Sequence, residues 1–269
     1  MKLKMKKWSM IIILLFVFLF PSFVSADTED LELNSKAIFL MDNESNKVLY
    51  EKNANEKMYP ASTTKILTAI LALENCKLDD VVTINYDAVI SIPDGYSTAN
   101  LQVGEQFTVE QLLQLLLVHS ANDAANVLAY YVGGSLDSFV SMMNTKLSDL
   151  NLDNSHFTNT YGKHEENHYT TAHDLAILMQ YCMKNEDFRK IAGSASCSIP
   201  ATNKYSARSY ISTNELLIPE SRNYYPYVIA GKTGFTTPAG ECLVSMAYKD
   251  GLELIAVVLG GETVNRWFC

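Results

Sequence analysis

Ser62 is followed three residues later by Lys65, and the pair opens the apolar run Ile66, Leu67, Ala69, Ile70, Leu71 and Leu73. On a helix this spacing puts a hydroxyl and an amine on one face, close enough to exchange a proton. Serine is a weak nucleophile at neutral pH and needs a neighbouring base. Lysine serves as that base only when burial or another cation lowers its pKa. The pair is therefore half of a nucleophilic mechanism, and taken alone it equally suits a helix start beside a surface lysine. Two later stretches could supply the other half. Ser120-Ala121-Asn122 offers a second hydroxyl and an amide, and Lys232-Thr233-Gly234, ahead of Phe235, offers a second cation and a further hydroxyl. Singly, the first reads as a turn capped by asparagine and the second as a strand end.

The surrounding elements decide whether these residues can meet. Apolar runs with a polar turn between them predict a strand hairpin, 36–41 and 47–51, and the Ser62 helix is expected to end near 75. A short extended segment, 80–84, precedes the turn signal Ile92-Pro93-Asp94-Gly95. Thr108-Val109-Glu110-Gln111 has the form of a capping box ahead of Leu112, Leu113, Leu115, Leu116 and Leu117, a helix apolar enough to centre a helical cluster. Further helices are predicted at 123–131, 136–150 and 172–183, the last capped by Thr171 with Asp174 in its first turn. Residues 151–169 read as polar irregular chain, and 197–222 carries no clear pattern. Strands return at 227–233, 242–248 and 252–259, with Lys249-Asp250-Gly251 as a hairpin turn. The expected class is α+β: a five-stranded antiparallel sheet with a helical lobe inserted between its second and third strands.

The 269 residues, 48% of them hydrophobic, suffice for a sizeable core. Lys2, Lys4, Lys6 and Lys7 precede an unbroken apolar run, 11–20, and then Val24-Ser25-Ala26. This order reads as an export signal over 1–26 cleaved after Ala26, so that the protein acts outside the cytoplasm, in the cell envelope or secreted. Membrane contact is expected only if that segment stays uncleaved. Cleavage takes 21 basic residues to 17 against 30 acidic ones, a net charge near −13 that argues against a nucleic-acid partner. Cys76, Cys182, Cys197, Cys242 and Cys269 have no framework spacing and read mostly as small buried hydrophobes, a Cys182 to Cys197 bridge staying open.

Together the three stretches resemble the S-x-x-K, S-x-N and K-T-G set of penicillin-binding proteins and serine beta-lactamases. More closely, Tyr59-Pro60-Ala61-Ser62-Thr63-Thr64-Lys65, His119-Ser120-Ala121-Asn122-Asp123-Ala124-Ala125, His168-Tyr169-Thr170-Thr171-Ala172-His173-Asp174-Leu175-Ala176 and Gly231-Lys232-Thr233-Gly234-Phe235-Thr236 resemble the low-molecular-mass serine D-alanyl-D-alanine carboxypeptidases (peptidase family S11) from about residue 30 onward. The resemblance implies a beta-lactamase/DD-peptidase-like fold and an exported hydrolase of cell-wall biogenesis. It would remove the C-terminal D-alanine from peptidoglycan stem pentapeptides, without metal or cofactor, and beta-lactams would be covalent inhibitors. Carried over, Ser62 is the acylated nucleophile, Lys65 its base and Ser120 the proton relay. Asn122 holds the substrate carbonyl and Lys65; Lys232 and Thr233 hold the substrate carboxylate. The backbone N–H groups of Ser62 and Phe235 form an oxyanion hole, and Gly234 permits close approach.

Two departures stand out. Relatives often carry a basic residue shortly before the Leu-Leu that precedes the K-T-G strand. Ser212-Thr213-Asn214-Glu215-Leu216-Leu217 has none, which leaves Arg208 or Arg222 as possible helpers. The family fold also closes with a helix after the last strand, so the 27–269 domain is expected to be truncated, with an apolar sheet face left open. Alternatives are a serine beta-lactamase, for which no Glu-x-x-x-Asn spacing lies between Ser120 and Lys232, and an inactive wall-binding homologue. His164-Glu165-Glu166-Asn167-His168 matches a zinc signature but lacks a helical context and reads as a solvated loop. His119, His156 and His173 read as structural or surface residues, and Tyr224, Tyr225 and Tyr227 as packing near Lys232.

Overall fold

The computed structural model describes residues 33–262; the expected export signal and the end of the chain, 263–269, lie outside them. Strands β1 (Ala37–Asp42) and β2 (Val48–Lys52) form the expected hairpin. Asp42 closes its turn by accepting from the Ser45 N–H and hydroxyl. The helical insertion contains α1 (Lys65–Asn75), β3 (Val81–Thr83), α2 (Tyr86–Ile90), β4 (Gln106–Thr108), α3 (Val109–Leu117), α4 (Asn122–Gly133), α5 (Leu136–Asp149), α6 (Ala172–Cys182) and α7 (Glu186–Ala192). A second small hairpin, β5 (Ser196–Ile199) and β6 (Arg208–Ile211), leads back to β7 (Val228–Thr236), β8 (Gly240–Lys249) and β9 (Leu252–Gly261).

The five long strands form one antiparallel sheet in the order β2-β1-β9-β8-β7. Period-two alternation divides its residues between two faces. Phe39, Met41, Val244, Met246, Ile255, Val257 and Leu259 are buried in the core shared with the helices. Leu40, Leu243, Leu254 and Val258 point the other way and line a cleft of about 490 Å³ with Arg222, Tyr224 and Tyr225. An apolar-lined far face is thus present. Beyond the expected sheet there are two small ones, β3 with β4 and β5 with β6, whose strands of three or four residues are too short for alternation to register.

The helical lobe centres on α3, as its leucines predict. Thr108 accepts from the Gln111 N–H while the Gln111 side chain accepts from the Thr108 N–H, completing the capping box. Leu112, Leu113, Leu115, Leu116 and Leu117 are all buried. No helix among the described residues is long and apolar enough to cross a membrane. Cys182 and Cys197 are buried free thiols, Cys242 is buried and Cys76 half-buried, so the open Cys182 to Cys197 bridge is not formed. Leu115→Ala would leave a cavity against a rigid surround, and the expected loss is about 2–5 kcal/mol, measurable by urea unfolding.

Candidate active site

Ser62 lies in a single 3-10 turn, Ala61–Thr64, directly ahead of α1, rather than in the first turn of the α-helix itself. Ala61 holds a left-handed φ of 47°, unusual for a residue with a Cβ, and so turns the chain sharply into Ser62. Lys65 then begins α1 completely buried, its Nζ 2.7 Å from Ser62 Oγ, and donates to the Tyr161 carbonyl at 3.1 Å. Burial and, next, the Lys232 cation hold the Lys65 amine well below the ordinary lysine range, against a smaller upward pull from Asp123. Both effects favour loss of the amine proton beside the Ser62 hydroxyl, the direction a base requires.

Ser120 lies between α3 and α4 with a left-handed φ of 63° and is almost buried. Lys232, on β7, donates to Ser120 Oγ at 3.0 Å and to the Thr233 carbonyl at 2.9 Å. At the start of α4, Asn122 donates its backbone N–H to the Ser97 carbonyl, and its buried Oδ1 has no partner among the described residues. It makes no hydrogen bond to Lys65; the Tyr161 carbonyl takes that place. The next residue, Asp123, accepts from the Ala99 and Leu101 N–H groups and so fixes the loop that carries Tyr96 and Ser97. Burial raises the Asp123 pKa, and these backbone bonds oppose the rise.

β7 is the edge strand of the sheet, and its end abuts the Ser62 turn. A Cβ at Gly234 would lie 2.9 Å from the Ser62 nitrogen and 3.0 Å from the Pro60 carbonyl, so only glycine permits this approach. Phe235, half exposed, continues the strand into a cleft of about 510 Å³ also lined by Ser62, Tyr96, Ser97, Asn122, Tyr161 and His164. The sequence-predicted residues Ser62, Lys65, Ser120, Asn122, Lys232, Thr233, Gly234 and Phe235 thus converge on one site.

Other contributors carry no motif. Thr213 Oγ1 lies 2.7 Å from Thr233 Oγ1, in the segment where a basic residue was missing. Neither arginine fills that gap: Arg208 pairs with the buried Glu105 carboxylate, and Arg222 lines the far-face cleft with Tyr224 and Tyr225. The expected solvated loop at 164–168 is a loop, but His168 is buried inside it and stacks on Phe157 at 4.9 Å. His164 packs edge-on against Tyr59 in the cleft. Among the described residues no group of three or more His, Cys, Asp or Glu could hold a metal. His119 packs on Tyr210, and His156 contacts the Asn167 carbonyl through its ring.

A two-part architecture that brings a serine on a helical turn, two buried lysines and a glycine-bearing strand edge to one cleft defines the fold class of DD-peptidases and penicillin-binding proteins. The crystal structure of the Streptomyces K15 DD-transpeptidase superposes with a TM-score of 0.79 at 32% identity, over 86% of this chain and 91% of that one. The chain belongs to the D-alanyl-D-alanine carboxypeptidase family, whose sequence profile matches residues 24–263. D-alanyl-D-alanine carboxypeptidase DacF of Bacillus subtilis (strain 168) is 35% identical over 93% of this chain and 64% of its own length. DacB2 of Mycobacterium tuberculosis is 33% identical over 82% and 72%. The chain spans under two thirds of the length of the Bacillus relative and of the Escherichia coli relatives DacC and DacA.

Burial, followed by the neighbouring His156 and His164, pushes the His168 pKa from 6.5 down to about 3. A histidine with a depressed folded pKa takes up its proton more readily unfolded. Stability is therefore expected to fall as pH drops from about 6.5 towards about 3, by up to about 1.4 kcal/mol per pH unit from this residue. Urea midpoints taken across that window should fall more steeply for the parent chain than for His168→Gln; parallel slopes would refute the assignment.

Proposed function

We propose that the chain is an exported serine carboxypeptidase that releases the C-terminal D-alanine from peptidoglycan stem pentapeptides through an acyl-enzyme on Ser62. The observation that carries this reading is the 2.7 Å contact between Ser62 Oγ and the fully buried Lys65 amine. Lys65 takes the hydroxyl proton as Ser62 attacks the penultimate carbonyl. The Ser62 and Phe235 N–H groups stabilise the developing oxyanion. Ser120, bonded to Lys232, hands a proton to the departing amine, and the free Asn122 Oδ1 accepts from the substrate backbone. The terminal carboxylate is held by the Lys232 cation and the Thr233 hydroxyl, with Thr213 completing a hydroxyl pair where relatives use a base. Water then cleaves the ester. A beta-lactam would enter the same route and stall as the ester. Residues 1–26 supply the export signal in this reading, which gives the enzyme access to wall peptides.

Mass spectrometry after exposure to a beta-lactam should find one adduct, on Ser62, absent from Ser62→Ala; an unmodified chain would refute the reading, and rapid turnover of the drug would favour a beta-lactamase. Lys65→Met should lower the acylation rate by about 10²–10⁴-fold. Thr213→Val should raise KM for a pentapeptide about tenfold with kcat held, the worth of one hydrogen bond to a charged group. An unchanged KM would remove Thr213 from the carboxylate site.

A further inference from the structure

His168 belongs to no part of this mechanism, yet it is buried one contact away from the nucleophile's turn. The Thr158 N–H donates to its Nδ1 at 3.0 Å, which leaves the ring proton on Nε2. Nε2 lies 2.8 Å from Thr64 Oγ1 and so donates to it. Thr64 in turn spends its hydroxyl proton on the Ala61 carbonyl, also at 2.8 Å. The three bonds run in one direction, from the Thr158 backbone to the peptide that joins Ala61 to Ser62. Stacking on Phe157 holds the ring plane, and burial keeps the ring neutral. The same peptide is gripped from its other side: a Cβ on Gly162 would stand 1.7 Å from the Ala61 oxygen and 3.0 Å from the Ser62 nitrogen.

A trans peptide is planar, with its C=O and N–H pointing in opposite directions. Whatever fixes the Ala61 oxygen therefore aims the Ser62 N–H. Ala61 holds a left-handed φ of 47°, strained for a residue with a Cβ, so the peptide needs a restraint to stay in this orientation. We propose that His168 is a positioning residue that acts through Thr64 to hold the Ala61–Ser62 peptide so that the Ser62 N–H points at the forming oxyanion. This rests on the acylation of Ser62 proposed above and adds a residue three steps from the reacting atoms. His168 touches no substrate; its effect falls on the chemical step and leaves initial binding alone.

Stopped-flow acylation of the full chain by a chromogenic cephalosporin separates the dissociation constant of the first complex from the acylation rate constant. His168→Leu and Thr64→Val should each lower the rate constant about 10- to 100-fold, with the dissociation constant within about threefold of the parent. The double variant should lose no more than either single one, because both cut the same chain. His168→Gln, whose amide can accept from Thr158 and donate to Thr64, should recover the rate to within about threefold of the parent. Thr64→Val preserves volume and stands in should His168→Leu fail to fold. Parent-like rates in Thr64→Val, additive losses in the double variant, or loss confined to the dissociation constant would each overturn the positioning role. If the parent chain itself forms no Ser62 adduct, the acylation reading fails and takes this inference with it. An acylating parent with unaffected variants overturns the inference alone.

Discussion

Two amines buried in one cleft cannot both carry a full charge cheaply. Burial costs each charge its hydration and strengthens the repulsion felt by the other. Lys65 and Lys232 share this constraint, and their partners divide the roles between them. Lys65 faces a hydroxyl and a carbonyl at the start of a helix, with burial weighing most heavily against its proton. Lys232 faces a hydroxyl and a carbonyl as well, and acts on Lys65 as a cation. The remaining geometry serves to keep the two amines close and dry: the leucine-packed α3 behind Ser120, the Asp123-tethered loop over the cleft, and the edge of β7 pressed against the nucleophile's turn.

That contact between β7 and the turn joins the two parts of the molecule. Gly234 meets the Ser62 nitrogen from the sheet, while Gly162 meets the Ala61 oxygen from the irregular segment that also supplies the Tyr161 carbonyl. The segment before β7 is tied to the helical lobe too, through the Thr213 N–H and the Val118 carbonyl beside Ser120. Beside the nucleophile, small residues, left-handed backbone and backbone hydrogen bonds do this joining, while behind it Phe39, Met41, Met246 and Ile255 of the sheet share one core with the helices.

Such joints are hard to see in a sequence. Ser62, Lys65, Ser120, Asn122 and Lys232 announce themselves by type and spacing, and the long strands and leucine helix by period. Boundaries erred by one to three residues, as at β7, where the strand continues through Phe235 and Thr236. The short helices α2 and α7, the strand β4 and the β5–β6 hairpin have no counterpart in the sequence pattern, since elements of three to seven residues repeat no period often enough to register. Thr213 and His168 could not be placed either: a threonine in a polar run and a histidine in a loop acquire meaning only from neighbours 20 and 104 residues away. The zinc-like spacing around His168 lacks a helix in the structure as in the sequence pattern, and what the sequence could not show is that His168 is buried rather than solvated.

The order of strands in the sheet has a bearing on how the protein reaches its active form. Among the described residues β1, the first strand, lies against β9, the last, with Ala37 opposite Leu259. Within the sheet the β1–β2 hairpin therefore has no further strand partner until β9 has formed, and closing that pair brings together residues more than two hundred positions apart. Loops of this length make sheet formation slow compared with assembly of the locally connected helices. Assembly is consequently ordered in time: α1, α3, α4 and α5 can gather early, whereas the sheet whose edge strand β7 carries Gly234 closes only when β9 joins β1. The strand pairing that closes the sheet behind the catalytic cleft is therefore the slow, long-range part of folding.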